Sequence, residues 1–169
     1  MNLNKNDFYY GALLSRLINS GFAPAIVGKD LEDAKLYTIY NNLGDYTFYT
    51  KYISKPDGDR NNEKRWDFLF NSSEINYIKN REDEQPIIAL ICGDKNLKGS
   101  RIALIDYPDY QDCIGRDYRT LNRYVKVKHR KGSKHFKLYG TGLDGSRDNN
   151  IKITGNVSRR LKELEELSI

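Results

Sequence analysis

Residues 116–139 read RDYRTLNRYVKVKHRKGSKHFKLY, and the side chains there that can do chemistry are almost all cations. Arg116, Arg119, Arg123, Lys126, Lys128, Arg130, Lys131, Lys134 and Lys137 stand against one acid, Asp117, a local charge of +8 in a chain whose total is +5. The rest of the protein therefore sums to −3, so the basicity is one local patch. Val125, Val127, Phe136 and Leu138 alternate with Tyr124, Lys126, Lys128, Lys137 and Tyr139 on either side of Lys131-Gly132-Ser133. Period-two alternation around a glycine predicts a β-hairpin with one apolar and one basic face. A turn at Lys131-Gly132 sets Lys126 opposite Lys137; a turn at Gly132-Ser133 sets Lys128 there instead. Like charges directly opposite destabilise a strand pair, a cost more easily carried where an anionic partner relieves it. One or two lysines suffice to protect an edge strand from aggregation, and nine basic residues exceed that need. Lys and Arg interleaved with Tyr118, Tyr124 and Tyr139 suit phosphates and unpaired bases. A two-stranded ribbon also fits the major groove of B-form DNA. The same face could instead meet an acidic protein surface.

No other stretch offers a complete reactive set. His129 and His135 both fall in the hairpin, where they are expected to approach each other and add pH-dependent charge to the patch. Two histidines without further ligands do not make a structural zinc site. Asp57-Gly58-Asp59-Arg60-Asn61 has the density of a calcium loop, but Asn62 stands where the loop needs Gly and Phe68 where it needs Glu. Residues 93–100 hold glycines and lysines without the GK[ST] ending of a phosphate loop, and read as a turn between strands. Cys92 and Cys113 have no metal-ligand spacing and read as buried thiols of a reducing, cytoplasmic protein. Trp66 reads as a core anchor. No metal and no cofactor is expected.

The positioning elements follow from periodicity and punctuation. The 169 residues are expected to form a single domain. The N-terminus has no long apolar run, so neither a signal peptide nor a membrane span is expected. A first helix over residues 7–20, capped by Asn6 or Asp7, carries Tyr10, Leu13, Leu14, Leu17 and Ile18 on one face and stops at Gly21. Strands follow at 35–40 and 45–54, then a polar loop over 55–64 and a strand over 65–70. Asn71 and Glu74 form a capping box for a helix over 72–80. IIALIC, residues 87–92, reads as a central strand buried on both faces, with 101–105 as its antiparallel partner. A short helix over 106–114 ends at Gly115. After the basic hairpin come a Gly/Asp/Asn loop over 140–150, a short strand over 151–153 and a terminal helix over 156–168. The fold class is α/β or α+β, with one mixed sheet, helices packed on it, and the basic hairpin added.

The order helix, strands, helix, strand over residues 7–106, with Lys51 late in a strand, resembles the restriction-endonuclease-like fold of the PD-(D/E)xK nucleases. That resemblance implies a catalytic lysine at Lys51, and a carboxylate two residues before it that holds Mg²⁺ with an earlier Asp. Tyr49 stands at the carboxylate position, and Asp33 and Asp45 are the upstream candidates. It therefore implies a degenerate site on a nuclease-like frame. The leading expectation is a non-catalytic nucleic-acid-binding protein of a bacterial phage or mobile element. A protein-interaction or inhibitor module, such as an anti-defence protein acting on a host protein, is the alternative. A Mg²⁺-dependent nuclease using Lys51 and Asp45 is the third reading.

Overall fold

The computed structural model describes residues 2–26, 35–41, 44–115, 122–143 and 149–167. Helix α1, Lys5–Asn19, begins two residues earlier than its periodicity suggested. The Asn4 side chain accepts the Asp7 N–H at 3.0 Å, and the Asp7 carboxylate accepts the Asn4 N–H at 2.7 Å. This reciprocal box satisfies two backbone donors at once, so Asn4 outcompetes Asn6 as the cap. Helix α2, Ser72–Lys79, is capped by Asn71 and Glu74 as expected. Helix α3, Tyr107–Ile114, is capped by Asp106, and α4 spans Val157–Leu167.

The chain is α+β, but it builds two sheets where one was expected. The first has the order β1-β2-β3-β6-β7, formed by Ala23–Ile26, Lys35–Asn41, Gly44–Ile53, Ile87–Cys92 and Arg101–Ile105. Its neighbours are antiparallel except β3 and β6, which run parallel. The second has the order β10-β9-β8-β5-β4, formed by Ile151–Thr154, His135–Gly140, Asn122–Arg130, Glu63–Asn71 and Gly58–Arg60, antiparallel throughout. The residue-65 strand thus does not continue the first sheet. Trp66, Phe68 and Phe70 give it one strongly apolar face, which β8 and β9 extend with Val125, Val127, Phe136 and Leu138. That combined face stacks on Tyr49, Ile88, Leu90, Ala103 and Ile105 of the first sheet. Two half-apolar sheets bury more by facing each other than by lying edge to edge.

The other face of the first sheet, with Phe48, Ile87, Ala89, Ile91 and Leu104, packs under Leu13 and Leu17 of α1 and Leu161 and Leu164 of α4. Residues 87–92 are accordingly buried at every position. The layers run α1 with α4, first sheet, second sheet, and α2 and α3 contribute Ile75, Ile78, Tyr107 and Tyr110 to the core between the sheets. Two local features differ from the expected polar loop over 55–64. Asn61 and Asn62 both take positive φ, 53° and 60°, which suits a tight hairpin turn. They join β4 to β5, and Asp57 is tied in by accepting the Asp67 N–H at 2.8 Å. Trp66 is fully buried, its indole donating to the Gly93 carbonyl at 2.8 Å. Both cysteines are free and buried; burial pushes the Cys113 thiol up to about 12 and Cys92 upward as well.

Candidate nucleic-acid interface

The basic hairpin is the β8–β9 pair, with Lys128 opposite Lys137, the second of the two registers open from sequence. A four-residue connection, 131–134, replaces the expected two-residue turn. Gly132 supplies φ of +81°, and the Ser133 N–H reaches the Arg130 carbonyl at 2.9 Å. Alternation divides the hairpin. Val125, Val127, Phe136 and Leu138 face the core, while Tyr124, Lys126, Lys128, Arg130, Lys137 and Tyr139 face outward.

The hairpin does not stand free. β5 pairs with β8 on one side and β10 with β9 on the other, so it forms the middle of the second sheet. This excludes insertion of these two strands as an isolated ribbon into a groove. It also extends the basic surface beyond the hairpin. Lys152 pairs with Lys137, Lys137 with Lys128, and Lys128 with Arg65. Paired residues share a face, so four cations stand in one row across four adjacent strands. At about 4.8 Å per strand the row spans about 14 Å. Arg65 is partly neutralised by Asp67, 2.8 Å away, and the Lys128 ammonium lies 4.5 Å from the centre of the Tyr139 ring. Lys137 and Lys152 have no acidic partner among the described residues.

One step along the strands, Lys126 lies between Asp67 and Tyr139 in register. Beyond it, Tyr124 pairs with Leu69, and both side chains are exposed, at 40% and 39%. At the opposite end, Arg130 pairs with Glu63, which pairs with Arg60. The Lys131 N–H bonds the Asn62 carbonyl at 2.7 Å, holding the two turns side by side. Exposed Lys131 and Lys134 therefore border the same face. No described element covers it.

Several expected site residues lie elsewhere. Arg123 is only 2% exposed and points inward, donating to the carbonyls of Ile114 and Gly115 at 3.0 and 2.9 Å. It ties α3 to β8 and does not belong to the outer face. His129 is also buried, with Nε2 2.9 Å from the Ser133 carbonyl and its ring edge-on to Phe136. Burial lowers its pKa, so it adds no charge to the patch near neutral pH. His135 is exposed on the outer face, the side of Lys137 and Tyr139, so it points away from buried His129. Arg116 and Arg119 lie outside the described residues, as does Asp33.

Lys51 and Asp45 are not brought together. Asp45 is exposed at the start of β3, six residues and about 20 Å of extended strand from Lys51. Lys51 is buried and donates to the Leu69 carbonyl and, at 2.8 Å, to Glu74 Oε1. Its ammonium is 4.6 Å from the centre of the Phe70 ring. The same Glu74 oxygen accepts the Tyr49 hydroxyl at 3.0 Å, and Oε2 accepts the Asn71 N–H. Burial and the Glu74 carboxylate raise the Tyr49 pKa. The lysine, the tyrosine at the expected carboxylate position and the α2 capping glutamate thus form one buried knot joining the two sheets to a helix. Among the described residues no three His, Cys, Asp or Glu side chains are grouped to hold a metal ion.

No protein-family model, curated protein or solved structure matches this chain. Among the described residues, no helix is long and apolar enough to cross a membrane. Two members of the basic row, Arg65 and Lys152, were absent from the sequence-based site. Neither lies near residues 116–139 in the sequence, and only strand pairing places it beside the hairpin.

Proposed function

We propose that this protein binds nucleic acid without cutting it, through the outer face of the second sheet. The observation that carries this reading is the in-register row Lys152–Lys137–Lys128–Arg65. Its members come from three separate segments of the chain. A solvated face gains nothing from same-sign neighbours, whereas a phosphate backbone neutralises them and releases counterions. The surface is a platform rather than an inserting ribbon, so it meets phosphates and splayed bases, with Tyr124 and Leu69 as the exposed apolar contact.

The order of strands and helices over residues 5–105 supports a restriction-endonuclease-like frame for the first sheet with α1 and α2. On that reading the catalytic position has become the Lys51–Glu74–Tyr49 packing knot. The test is fluorescence anisotropy with labelled duplex and single-stranded oligonucleotides over a salt series. Four phosphate contacts predict a slope of log K against log salt of about −3.6 on duplex or about −2.8 on single strands. Replacing Lys128, Lys137 and Lys152 by Glu should abolish binding while leaving the circular dichroism spectrum unchanged. Absence of binding by the wild-type protein at low salt would overturn the reading. A host-protein complex that survives nuclease treatment and is lost in the same variant would assign the face to an acidic protein surface.

A further inference from the structure

The outer face of the second sheet carries an apolar step beside its cations. Among the described residues, Tyr124 and Leu69 are the two exposed large apolar side chains that strands carry; the others lie on helices or ahead of α1. Register makes these two direct partners across β8 and β5. Both stand on fixed backbone. The Tyr124 N–H donates to Thr141 Oγ1 at 2.8 Å, and its carbonyl accepts the Thr141 N–H at 3.1 Å. The Leu69 carbonyl accepts the buried Lys51 ammonium, so the knot between the sheets supports the step from beneath. Lys128 of the basic row and Tyr124 are four residues apart on β8, about 14 Å at about 3.4 Å per residue. Lys126 lies between them on the same face, its ammonium 6.0 Å from the centre of the Tyr124 ring.

Duplex and single strand use such a face differently. The sheet cannot enter a groove, and the outside of a duplex offers sugar and phosphate. A duplex would satisfy the cations and leave the Tyr124–Leu69 step without an apolar partner. An unpaired base has a π-face, and it stacks on an exposed aromatic ring whatever its sequence. Exposed aromatics on an antiparallel sheet, flanked by cations, are a general means of holding unpaired bases. A ring already held in place also spares the binding reaction the entropy of ordering it.

We propose that the outer face selects single-stranded over double-stranded nucleic acid, with Tyr124 as the stacking platform for an unpaired base. This rests on the nucleic-acid reading of the same face. The strand crosses the Lys152–Lys137–Lys128–Arg65 row with its phosphates and continues past Lys126, where a base settles on Tyr124 against Leu69.

Fluorescence anisotropy at low salt tests it, with oligonucleotides about 12 nucleotides long: a dT strand, a U strand, a mixed-sequence duplex, and an abasic strand with the same phosphates and no bases. At least one of the dT and U strands should bind at least tenfold tighter than both the duplex and the abasic strand, and their order identifies the preferred sugar. Tyr124→Ala should weaken binding of the base-bearing strand roughly 5- to 140-fold, equivalent to about 1–3 kcal/mol. It should change duplex and abasic binding less than about twofold. Tyr124→Phe, which keeps the ring, should bind the strand like the wild type. The Tyr124 side chain is exposed, so its removal spares the core. Duplex or abasic strand binding as tightly as the base-bearing strands overturns the selectivity and leaves the nucleic-acid reading standing. Loss of affinity for all four probes alike in Tyr124→Ala also overturns it, as does undiminished strand binding by that variant. If the wild-type protein binds none of the four, the nucleic-acid reading itself fails and takes this inference with it.

Discussion

The basic row predicts a protein that becomes more stable when part of its working surface is removed. Lys137 is the informative position because it has a like charge on both flanks, Lys128 on one strand and Lys152 on the other. A directly opposed like-charge pair costs on the order of 0.2–1 kcal/mol. Lys137 is exposed, so solvent screening places each pair in the lower part of that range, and two pairs sum to about 0.4–1 kcal/mol. Lys137→Gln keeps the length of the stem and removes the charge. A domain of this size gains about 2–4 °C in Tm per kcal/mol, so the variant should melt about 1–4 °C higher at low ionic strength. Lys152→Gln, at the sheet edge with one like neighbour in the row, should gain about half as much. Lys55→Gln makes the same change in net charge in an exposed loop and should gain nothing. In 1 M salt the Debye length falls to about 3 Å, shorter than the strand spacing, and the differences should vanish. Anisotropy measured on the same samples should show weaker binding by Lys137→Gln. Its salt slope should be shallower by about 0.9 on duplex or about 0.7 on single strands. If Lys137→Gln and Lys55→Gln melt together at low salt, or if Lys137→Gln melts below the wild type, the row is not a strained anion-binding device and the argument fails.

Three further outcomes follow from buried groups. Lys51→Met leaves the Glu74 carboxylate with only the Tyr49 hydroxyl and the Asn71 N–H and should cost about 3–5 kcal/mol in urea denaturation; adding Glu74→Gln should recover part of that loss, and strict additivity would contradict the ion pair. Asp109 is pushed up to about 6, first by burial and then by Asp106, against the pull of Arg160. A raised carboxyl favours the folded state below the ordinary carboxylate range and loses that contribution as pH climbs through about 6, so Asp109→Asn should outlast the wild type above pH 6 by at most about 2–3 kcal/mol, with the advantage shrinking as pH falls and gone at about pH 3. His129, lowered by burial, titrates in the opposite sense, losing stability as pH falls below the ordinary histidine range, and it cancels in that comparison because both proteins carry it. Finally, a Cβ on Gly140 would collide with the Cys113 backbone carbonyl at the end of α3; Gly140→Ala should unfold or severely destabilise the protein, whereas Gly11→Ala on the open side of α1 should be tolerated.

The sequence disclosed what depends on short range. The Asn71/Glu74 box, the doubly buried β6 and its β7 partner could all be read from neighbouring residues. So could the Lys128–Lys137 register, as one of two choices. At three further places the pattern already carries the outcome. Arg123 and His129 share odd numbering with Val125 and Val127, so the alternation that made the hairpin already turned them inward. Asn61-Asn62 is a pair that tolerates positive φ and should have suggested a turn between strands. What no window could disclose was partnership. The strand carrying Trp66, Phe68 and Phe70 alternates equally well in either sheet, and only the complementary faces of β8 and β9 decide its place. For the same reason Lys51 looked like a free candidate base until α2, 23 residues on, delivered Glu74 to it.

The location of the basic row bears on its origin. Helices cover one face of the first sheet and the second sheet covers the other, so among the described residues the second sheet offers the broad uncovered face. An uncovered sheet face has to be polar, but folding is best served by mixing signs across strands, as Glu63 between Arg130 and Arg60 does here. Next to these mixed positions lies the same-sign row, drawn from β5, β8, β9 and β10. Composition alone does not generate it, because Arg65 and Lys152 come from outside residues 116–137, where the chain is net acidic. A feature that folding opposes and composition does not supply requires a stabilising contribution from outside the chain. A polyanion that fits the row should therefore raise the melting temperature of the wild-type protein more than that of Lys137→Gln. If both rise equally, or neither rises, the anion lies elsewhere and the row has no claim on it.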